Sequence, residues 1–371
     1  MNSEKKEKSC CASSVSSTCC SPKQQVNPQL DIIGDYIVGW TDTKIGKIPT
    51  VSTCLSKVDK WGSLKIRLNI NRMNYKVQPG LYAVGKPDAD SPVLVSANYK
   101  LSFDTLRKEL SGIDAWVLVL DTKGINVWCA AGKGTFATDE LVKRIEISGL
   151  GQVVNHRKMI VPQLGAVGVA AHRVRKRSGF SVIYGPVRAC DIPAFLEAGM
   201  KATPGMRRVR FSISDRLKVT PVEIVQGAGK LFFVSAVFFL LSGLNSSGYS
   251  LDWAAGITVL NLVLAYLAGT LLGPMLLPWL PGRSFSLKGA FAGFIVFLVL
   301  FWTRLTGGHA LQVVAWLFLI TALSSYLTMN FTGCSTYTSL SGVKKEMRCA
   351  VPMQIAAAVI GLALWISSQF I

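Results

Sequence analysis

The sequence predicts an α/β fold, a Rossmann-like doubly wound domain, followed by an all-α transmembrane domain of about five helices. Three observations carry this. Charge is unevenly spread: from Leu231 to Ile371 there are six basic and two acidic residues, leaving 34 of the 40 Lys+Arg before that point. The earlier half alternates short β-rich runs with helical patterns, the signature of a mainly parallel, covered sheet. The later half holds five long apolar segments.

Three regions follow: a disordered Cys-rich tail at 1–30, an α/β domain at 31–225 and a transmembrane domain at 226–371. The tail is Ser, Lys, Gln and Cys, with little to bury. It has no apolar core of a signal peptide. The nine cysteines include two vicinal pairs, Cys10-Cys11 and Cys19-Cys20. An odd count without a secretory signal predicts a reducing compartment, not a disulfide framework. The pairs have the chemistry to bind a soft metal ion, and an unstructured tail is the simpler alternative. The net charge of +19 raises nucleic acid as a partner. No zinc-finger spacing or RNP-like motif supports it, so no nucleic-acid partner is expected. A basic domain beside anionic lipid explains the charge more simply.

Within the α/β domain, Lys65–Ile70 alternates polar and apolar residues, as a half-exposed strand does. Pro92–Val95, Ala115–Leu120 and Ser181–Tyr184 read as central strands, being continuous apolar runs. Ser102 is expected to cap a helix over 102–107. Thr138 is expected to cap another running to about Ile147, with acids in its first turn. Gly168–Arg177 and Ile192–Ala198 are further helix candidates.

The five apolar segments are Leu231–Leu244, Ala254–Leu280, Gly289–Trp302, Ala310–Met329 and Ala350–Ile371. A spanning helix needs about 20 residues; the first and third are short, and Lys230 and Lys288 can snorkel to extend them. Pro274, Pro278 and Pro281 are expected to kink or end the second. Arg283, Lys288, Lys344, Lys345 and Arg348 fall in loops on the side of the basic domain. The positive-inside rule then predicts a multi-pass protein of the cytoplasmic (inner) membrane, with the α/β domain in the cytoplasm and the C-terminus outside. No charge lies inside these segments, which argues for anchoring over ion conduction.

The most unusual segment is Gly124–Gly134, which follows a buried strand. Asn126 suits a helix cap and Gly132 a helix stop, leaving room for little more than one turn. Cys129 would then lie near a helix N-terminus with Lys133 close by, both favouring thiolate. Ala130, Ala131 and Gly132 are small enough for a flat cofactor to approach. Other readings stand beside this one. A free Cys is commonly a small buried hydrophobe. A phosphate loop fails the pattern, with Val127 where Gly is needed and Gly134 after Lys133. An activated nucleophile lacks a ready base, as the chain has only His156, His172 and His309.

Asn126–Lys133, NVWCAAGK, resembles the signature of the HgcA family, the corrinoid proteins of microbial mercury methylation. Pro92–Asp104 and Tyr184–Ile192 are similar to the corrinoid-binding loops shared with the large subunit of the corrinoid iron–sulfur protein. Asn330–Met347 within the five-span tail fits the same resemblance. The resemblance implies a cobalamin or related corrinoid, with Cys129 as lower axial ligand of its cobalt. Asn126, Val127, Trp128, Ala130, Ala131, Gly132 and Lys133 would form a cap under the ring. Ser96, Ala97 and Asn98 would bind its edge or tail, as would Gly185, Pro186, Val187, Arg188 and Ala189. The D-x-H-x-x-G segment of His-ligated relatives is lacking, and the N-terminal cysteines lack ferredoxin spacing. The resemblance therefore implies a separate ferredoxin-like iron–sulfur protein (HgcB) as electron donor.

The implied activity is a corrinoid-dependent methyltransferase passing a methyl group from methyl-Co(III) corrinoid to Hg(II), forming methylmercury. The methyl donor would be a methyl-folate or a methyltransferase delivering it, and Hg(II) would arrive as a thiolate complex. Mercuric ion is an electrophile, and a donating thiolate opposite the methyl group suits transfer to it. Cys334 and Cys349 flank the last cytoplasmic loop, where they could hand over mercury or have no role. The alternative is a membrane-bound corrinoid methyl carrier of one-carbon (acetyl-CoA pathway) metabolism. A non-enzymatic corrinoid transporter is disfavoured by the uncharged spans. Membrane lipid is a partner on any of these readings.

Overall fold

The structure, a computed structural model, describes residues 34–246, 248–334 and 340–371. The expected tail at 1–30, with Cys10, Cys11, Cys19 and Cys20, lies outside the described residues. So do residues 335–339 of the segment Asn330–Met347.

The α/β part runs β1 (Ile37–Thr43), β2 (Gly46–Val51), α1 (Lys57–Arg67), β3 (Gly80–Val84), β4 (Val93–Ala97) and α2 (Lys100–Glu109). It continues through β5 (Ala115–Leu120), α3 (Val127–Lys133), α4 (Thr138–Ile147), α5 (Leu150–Val153) and β6 (Lys158–Val161). It closes with α6 (Ala171–Ser178), β7 (Ser181–Tyr184) and α7 (Ile192–Glu197). The strands form one seven-stranded mixed sheet in the order β1-β2-β3-β5-β4-β6-β7. Strands β5, β4, β6 and β7 are mutually parallel, with Val93 opposite Trp116 and Val161 opposite Tyr184. β3 runs antiparallel to β5, and β1 and β2 form an antiparallel hairpin on the far edge.

Of the apolar runs read as central strands, Pro92–Val95 and Ala115–Leu120 are central because both faces are covered: every residue of β3, β4 and β5 is buried. Ser181–Tyr184 is instead the edge strand β7, paired with β6 alone, and each of its residues is only half-buried. One core layer holds Leu118, Leu120, Leu141 and Phe136; the other holds Phe103, Leu106, Val117 and Phe195. The chain leaves β4 through α2 to β5 on one side, then returns past β4 to β6. The connection therefore changes direction at β4, which opens a crevice beside the strand ends.

Four local expectations are corrected. Lys65–Ile70 is not a strand: Lys65, Ile66 and Arg67 end helix α1. The helix wins because Ser56 and Asp59 form a reciprocal capping box, while Ile66 alone of that stretch is buried. Ser102 lies inside the first turn of α2, whose cap position is Tyr99. Thr138 is the first helical residue of α4, and its hydroxyl instead accepts from the Ala170 N–H at 2.9 Å. The helix expected at Gly168–Arg177 begins at Ala171.

A buried ion cluster ties α1 to α2. The Arg107 guanidinium, fully buried, donates to Asp104 at 2.8 Å and to Asp59 at 2.7 Å. Lys100 bridges the same two carboxylates, at 2.7 Å from Asp104. Burial works against ionisation of Asp59, yet Lys100, Arg107 and the Ser56 N–H outweigh it and hold its carboxyl well below the usual range.

The helical part comprises α8 (Ile213–Leu241), a hairpin of β8 (Leu244–Asn245) and β9 (Gly248–Tyr249), and α9 (Trp253–Leu267). α9 continues through a π-helical turn at Ala268–Leu272 into α10 (Gly273–Leu276). The last helices are α11 (Phe285–Trp302), α12 (Ala310–Asn330) and α13 (Leu340–Ser367). Among the described residues, five helices are long and apolar enough to cross a membrane: Ile213–Leu241, Trp253–Leu276, Phe285–Trp302, Ala310–Asn330 and Ser341–Ser367. The first is far longer than the apolar stretch alone, because Ser212 and Asp215 build a second capping box that starts it at Ile213. It therefore straddles residue 225 and carries Lys218, Glu223 and Lys230 along its length, against the expectation of uncharged spans. Small residues let the helices approach closely. A Cβ on Gly289 would lie 2.6 Å from Thr328 and 2.7 Å from the Ser324 carbonyl, whose own hydroxyl donates to the Gly289 carbonyl.

Candidate functional site

The C-terminal ends of β4, β5, β6 and β7 converge on one crevice of about 430 Å³. Each strand end supplies part of its wall: Ser96 and Tyr99 after β4, Asn126, Val127 and Trp128 after β5, Pro162 and Leu164 after β6, and Gly185, Pro186, Val187 and Ala189 after β7. Leu101, Ser102, Thr105 and Leu106 of α2 close one side. The lining is mostly apolar, and no histidine is among it.

The loop from β5 to α3 is held by Asn98. Its side-chain oxygen accepts from the Thr122 hydroxyl at 2.8 Å, the Gly124 N–H at 2.9 Å and the Thr122 N–H at 3.1 Å. These bonds fix a turn in which Lys123 and Gly124 both have positive φ, 59° and 74°. For Lys123 that conformation is strained and persists because its surroundings impose it. Asp121 adds a second brace: its N–H donates to Glu140 at 2.9 Å and its carboxylate meets Lys123 at 2.6 Å. Burial opposes ionisation of Asp121, but Lys123 prevails and its carboxyl sits below the usual range.

Asn126 caps α3 as the sequence suggested, its side chain accepting from the Cys129 N–H at 2.9 Å. The helix runs one residue past Gly132 and stops at Gly134, with φ 78°. Its seven residues divide by face. Val127 and Trp128 look into the crevice. Ala130 and Ala131 are buried in the core, where their smallness lets α3 pack closely on the domain. The neighbouring segment shows the same economy of space: a Cβ on Gly168 would lie 2.0 Å from the Phe136 carbonyl and 3.2 Å from the Ala131 Cα.

Cys129 is a free thiol, half-buried, set between Trp128 and Ala130. It is not among the residues that line the crevice, and follows Trp128, which is. Burial pushes the Tyr99 phenol up, with Arg72 and Arg67 partly opposing it.

Besides Cys129, the expected site residues fall into three groups. Ser96, Asn126, Val127, Trp128, Gly185, Pro186, Val187 and Ala189 line the crevice. Ala97, Asn98, Ala130 and Ala131 are buried behind it. Gly132 and Lys133 are exposed at the end of α3, and Arg188 turns away to Asp215. Sequence reasoning missed Tyr99, Leu101, Ser102 and Thr105. Their signal was the i, i+3 spacing of polar residues on the crevice side of α2. Cys349 is exposed at the start of the last spanning helix, and Cys54 and Cys190 are exposed on the domain.

Residues 59–196 match the family described as CO dehydrogenase/acetyl-CoA synthase delta subunit. Among curated relatives, the acetyl-CoA decarbonylase/synthase complex subunit gamma of Methanopyrus kandleri is 34% identical over 124 residues, 33% of this chain and 26% of the relative. The subunit gamma of Archaeoglobus fulgidus is 32% identical over 140 residues, 36% of this chain and 29% of the relative. That of Methanosarcina acetivorans is 35% identical over 130 residues, 34% of this chain and 27% of the relative. The chain spans under a third of the length of each of these relatives. The α/β domain that carries the crevice is therefore similar to the CO dehydrogenase/acetyl-CoA synthase delta-subunit family, and the five long helices lie outside that match.

Proposed function

We propose that this chain is a membrane-anchored, corrinoid-dependent methyl-transfer protein. The observation that carries the reading is the convergence of four parallel strand ends on one apolar-walled crevice, with the Cys129 helix on its rim. The residues present fit a corrinoid. The walls are apolar, as a wide macrocycle needs. Asn98 and Asn126 hold the Cys129 helix in place beforehand. A half-buried free thiol is a suitable soft ligand for cobalt.

A bound corrinoid supplies a cobalt centre able to accept and release a methyl group. Cys129 would hold that cobalt through its sulfur, and the identity of such a ligand is a main lever on the centre. Trp128 and Val127, which line the crevice, would shield the bound group from water. Ser96, Ser102 and the Gly185–Ala189 loop offer contacts at its edge. The closeness of Gly185 to Ile160, at 2.7 Å from any added Cβ, keeps that loop tight against β6.

For the acceptor we favour Hg(II), giving methylmercury, on the ground of the NVWCAAGK segment and the helical half that the family match omits. In this reading a ferredoxin-like protein returns electrons, and the domain faces the cytoplasm with the C-terminus outside. The second reading, a corrinoid methyl carrier in one-carbon metabolism, has the similarity of residues 59–196 to acetyl-CoA decarbonylase/synthase subunits in its favour.

The test is spectroscopic first. Full-length protein, prepared without oxygen, is loaded with cobalamin beside Cys129→Ala and Cys129→His. Distinct absorption spectra for the three support Cys129 ligation; identical spectra refute it. Methylated protein is then offered Hg(II)–thiolate and, separately, an acetyl-CoA decarbonylase/synthase preparation. Loss of the methyl group only to the second replaces mercury with the carrier reading.

A further inference from the structure

Helix α1 presents an uncovered face. Val58, Trp61 and Leu64 are 63%, 58% and 45% exposed, while Asp59 and Ile66 on the opposite side are buried. The three lie at i, i+3 and i+6, one stripe along the helix. Lys57, Lys60 and Lys65 are exposed beside them, and the Lys65 ammonium sits 5.7 Å from the Trp61 ring. An apolar stripe containing Trp and bordered by lysines is the pattern of a helix lying in a bilayer interface.

The position of α1 supplies an independent argument. The Arg67 side chain donates to the Lys218 carbonyl of α8 at 3.3 Å. That level of α8 is where the helical bundle ends. Phe211 and Val219, on either side of Lys218, pack against Leu277, Phe285 and Phe331, which mark the ends of α10, α11 and α12. Arg216 donates to the Met275 carbonyl at the same level and lies 5.5 Å from the ring of exposed Trp279. Helix α1 is therefore held in the plane where the long helices leave the hydrocarbon. Exposed Arg283, Lys344 and Lys345 carry positive charge near that plane.

We propose that α1 is an interfacial anchor, resting on an anionic leaflet with Val58, Trp61 and Leu64 inserted among the lipids and its lysines at the headgroups. The proposal rests on reading the five long helices as membrane spans. Lipid is favoured over a soluble partner because the stripe continues the margin of the bundle and the flanking charge is all basic. The consequence for the site is direct. Asp59 on the inner face of α1 is bound to Arg107 and Lys100 of α2, the helix that walls the crevice. Seating α1 on lipid thus fixes how the crevice is tilted relative to the bilayer.

The experiment uses the full chain in nanodiscs of phosphatidylglycerol and phosphatidylcholine, with and without brominated acyl chains. Subtracting the fluorescence of Trp61→Phe isolates Trp61 from the other tryptophans of the nine in the chain. The expected signal is blue-shifted, quenched by brominated lipid and sheltered from acrylamide in the water. The triple variant Lys57→Glu/Lys60→Glu/Lys65→Glu should lose most of the bromolipid quenching, as should discs without phosphatidylglycerol. A Trp61 reached by acrylamide and not by brominated lipid overturns the proposal. Shelter from both quenchers also overturns it, and shows that protein covers the face. A chain that does not enter nanodiscs at all overturns the membrane reading itself, and the anchor with it.

Discussion

Arg188, in the loop that follows β7, reaches Asp215 in the first turn of α8 at 2.7 Å. The same guanidinium donates to the Arg210 carbonyl at 3.1 Å. One wall of the crevice is thereby fastened to the first of the long helices. Arg188→Ala should change stability by only about 0.2–1 kcal/mol, as the pair is partly exposed. It should weaken corrinoid binding severalfold, read by titrating absorbance.

The cap of α3 gives a sharper contrast. Asn126→Ala removes the acceptor for the Cys129 N–H and should cost about 1 kcal/mol. Asn126→Asp and Asn126→Ser keep an acceptor and should restore most of it. Hydrogen exchange at the amides of residues 127–129 should speed up in the first variant and stay near wild type in the other two.

Two glycines, Gly168 and Gly132, test the packing of that helix. Gly168→Ala places a Cβ against the Phe136 carbonyl and the Ala131 backbone, so α3 must move. A loss of about 1–3 kcal/mol is expected, together with weaker corrinoid binding. Gly132→Ala meets nothing within 4 Å and should stabilise the cofactor-free protein by about 0.5–1 kcal/mol. Thermal melts of both variants check the pair.

Asp59→Asn leaves Arg107 buried with one carboxylate where it had two. Removing one partner from a buried ionic group should cost about 3–5 kcal/mol. Since the folded pKa of Asp59 is lowered, its contribution is present above the unfolded value of 3.8 and fades as pH falls below it. The wild type should therefore lose stability on acidification more steeply than Asp59→Asn, measured by denaturation from neutral pH to pH about 3.

The parts legible in the sequence are those set by one dominant force. Val93–Ala97 and Ala115–Leu120 are apolar throughout because the sheet is covered on both faces, and their runs said so. Asn126 announced the start of α3 because a cap is a local device. Long-range competition hid the rest. Lys65–Ile70 alternates like a strand, yet the capping box of Ser56 and Asp59 upstream had already committed the chain to helix. The side chain of Asn98 braces Thr122 and Gly124, a partnership that exists only once β4 and β5 are side by side. Ala130 and Ala131 pack in the core, a contact their small size permits and their sequence neighbours do not announce. The half of the crevice built from α2 left little trace, since Tyr99, Ser102 and Thr105 are ordinary residues of an ordinary helix.

Every strand end and loop that builds the crevice comes before Ile213, where α8 begins. Synthesis proceeds in that direction, and domains fold as units as they emerge. The ligand-binding half can therefore finish its sheet while the apolar helices are still unmade. Arg67 and Arg188, the two side chains that later grip α8, are already in place on a folded surface when that helix arrives. Maturation then becomes a matter of timing, with the window for loading a bulky ligand opening before the chain is committed to the bilayer.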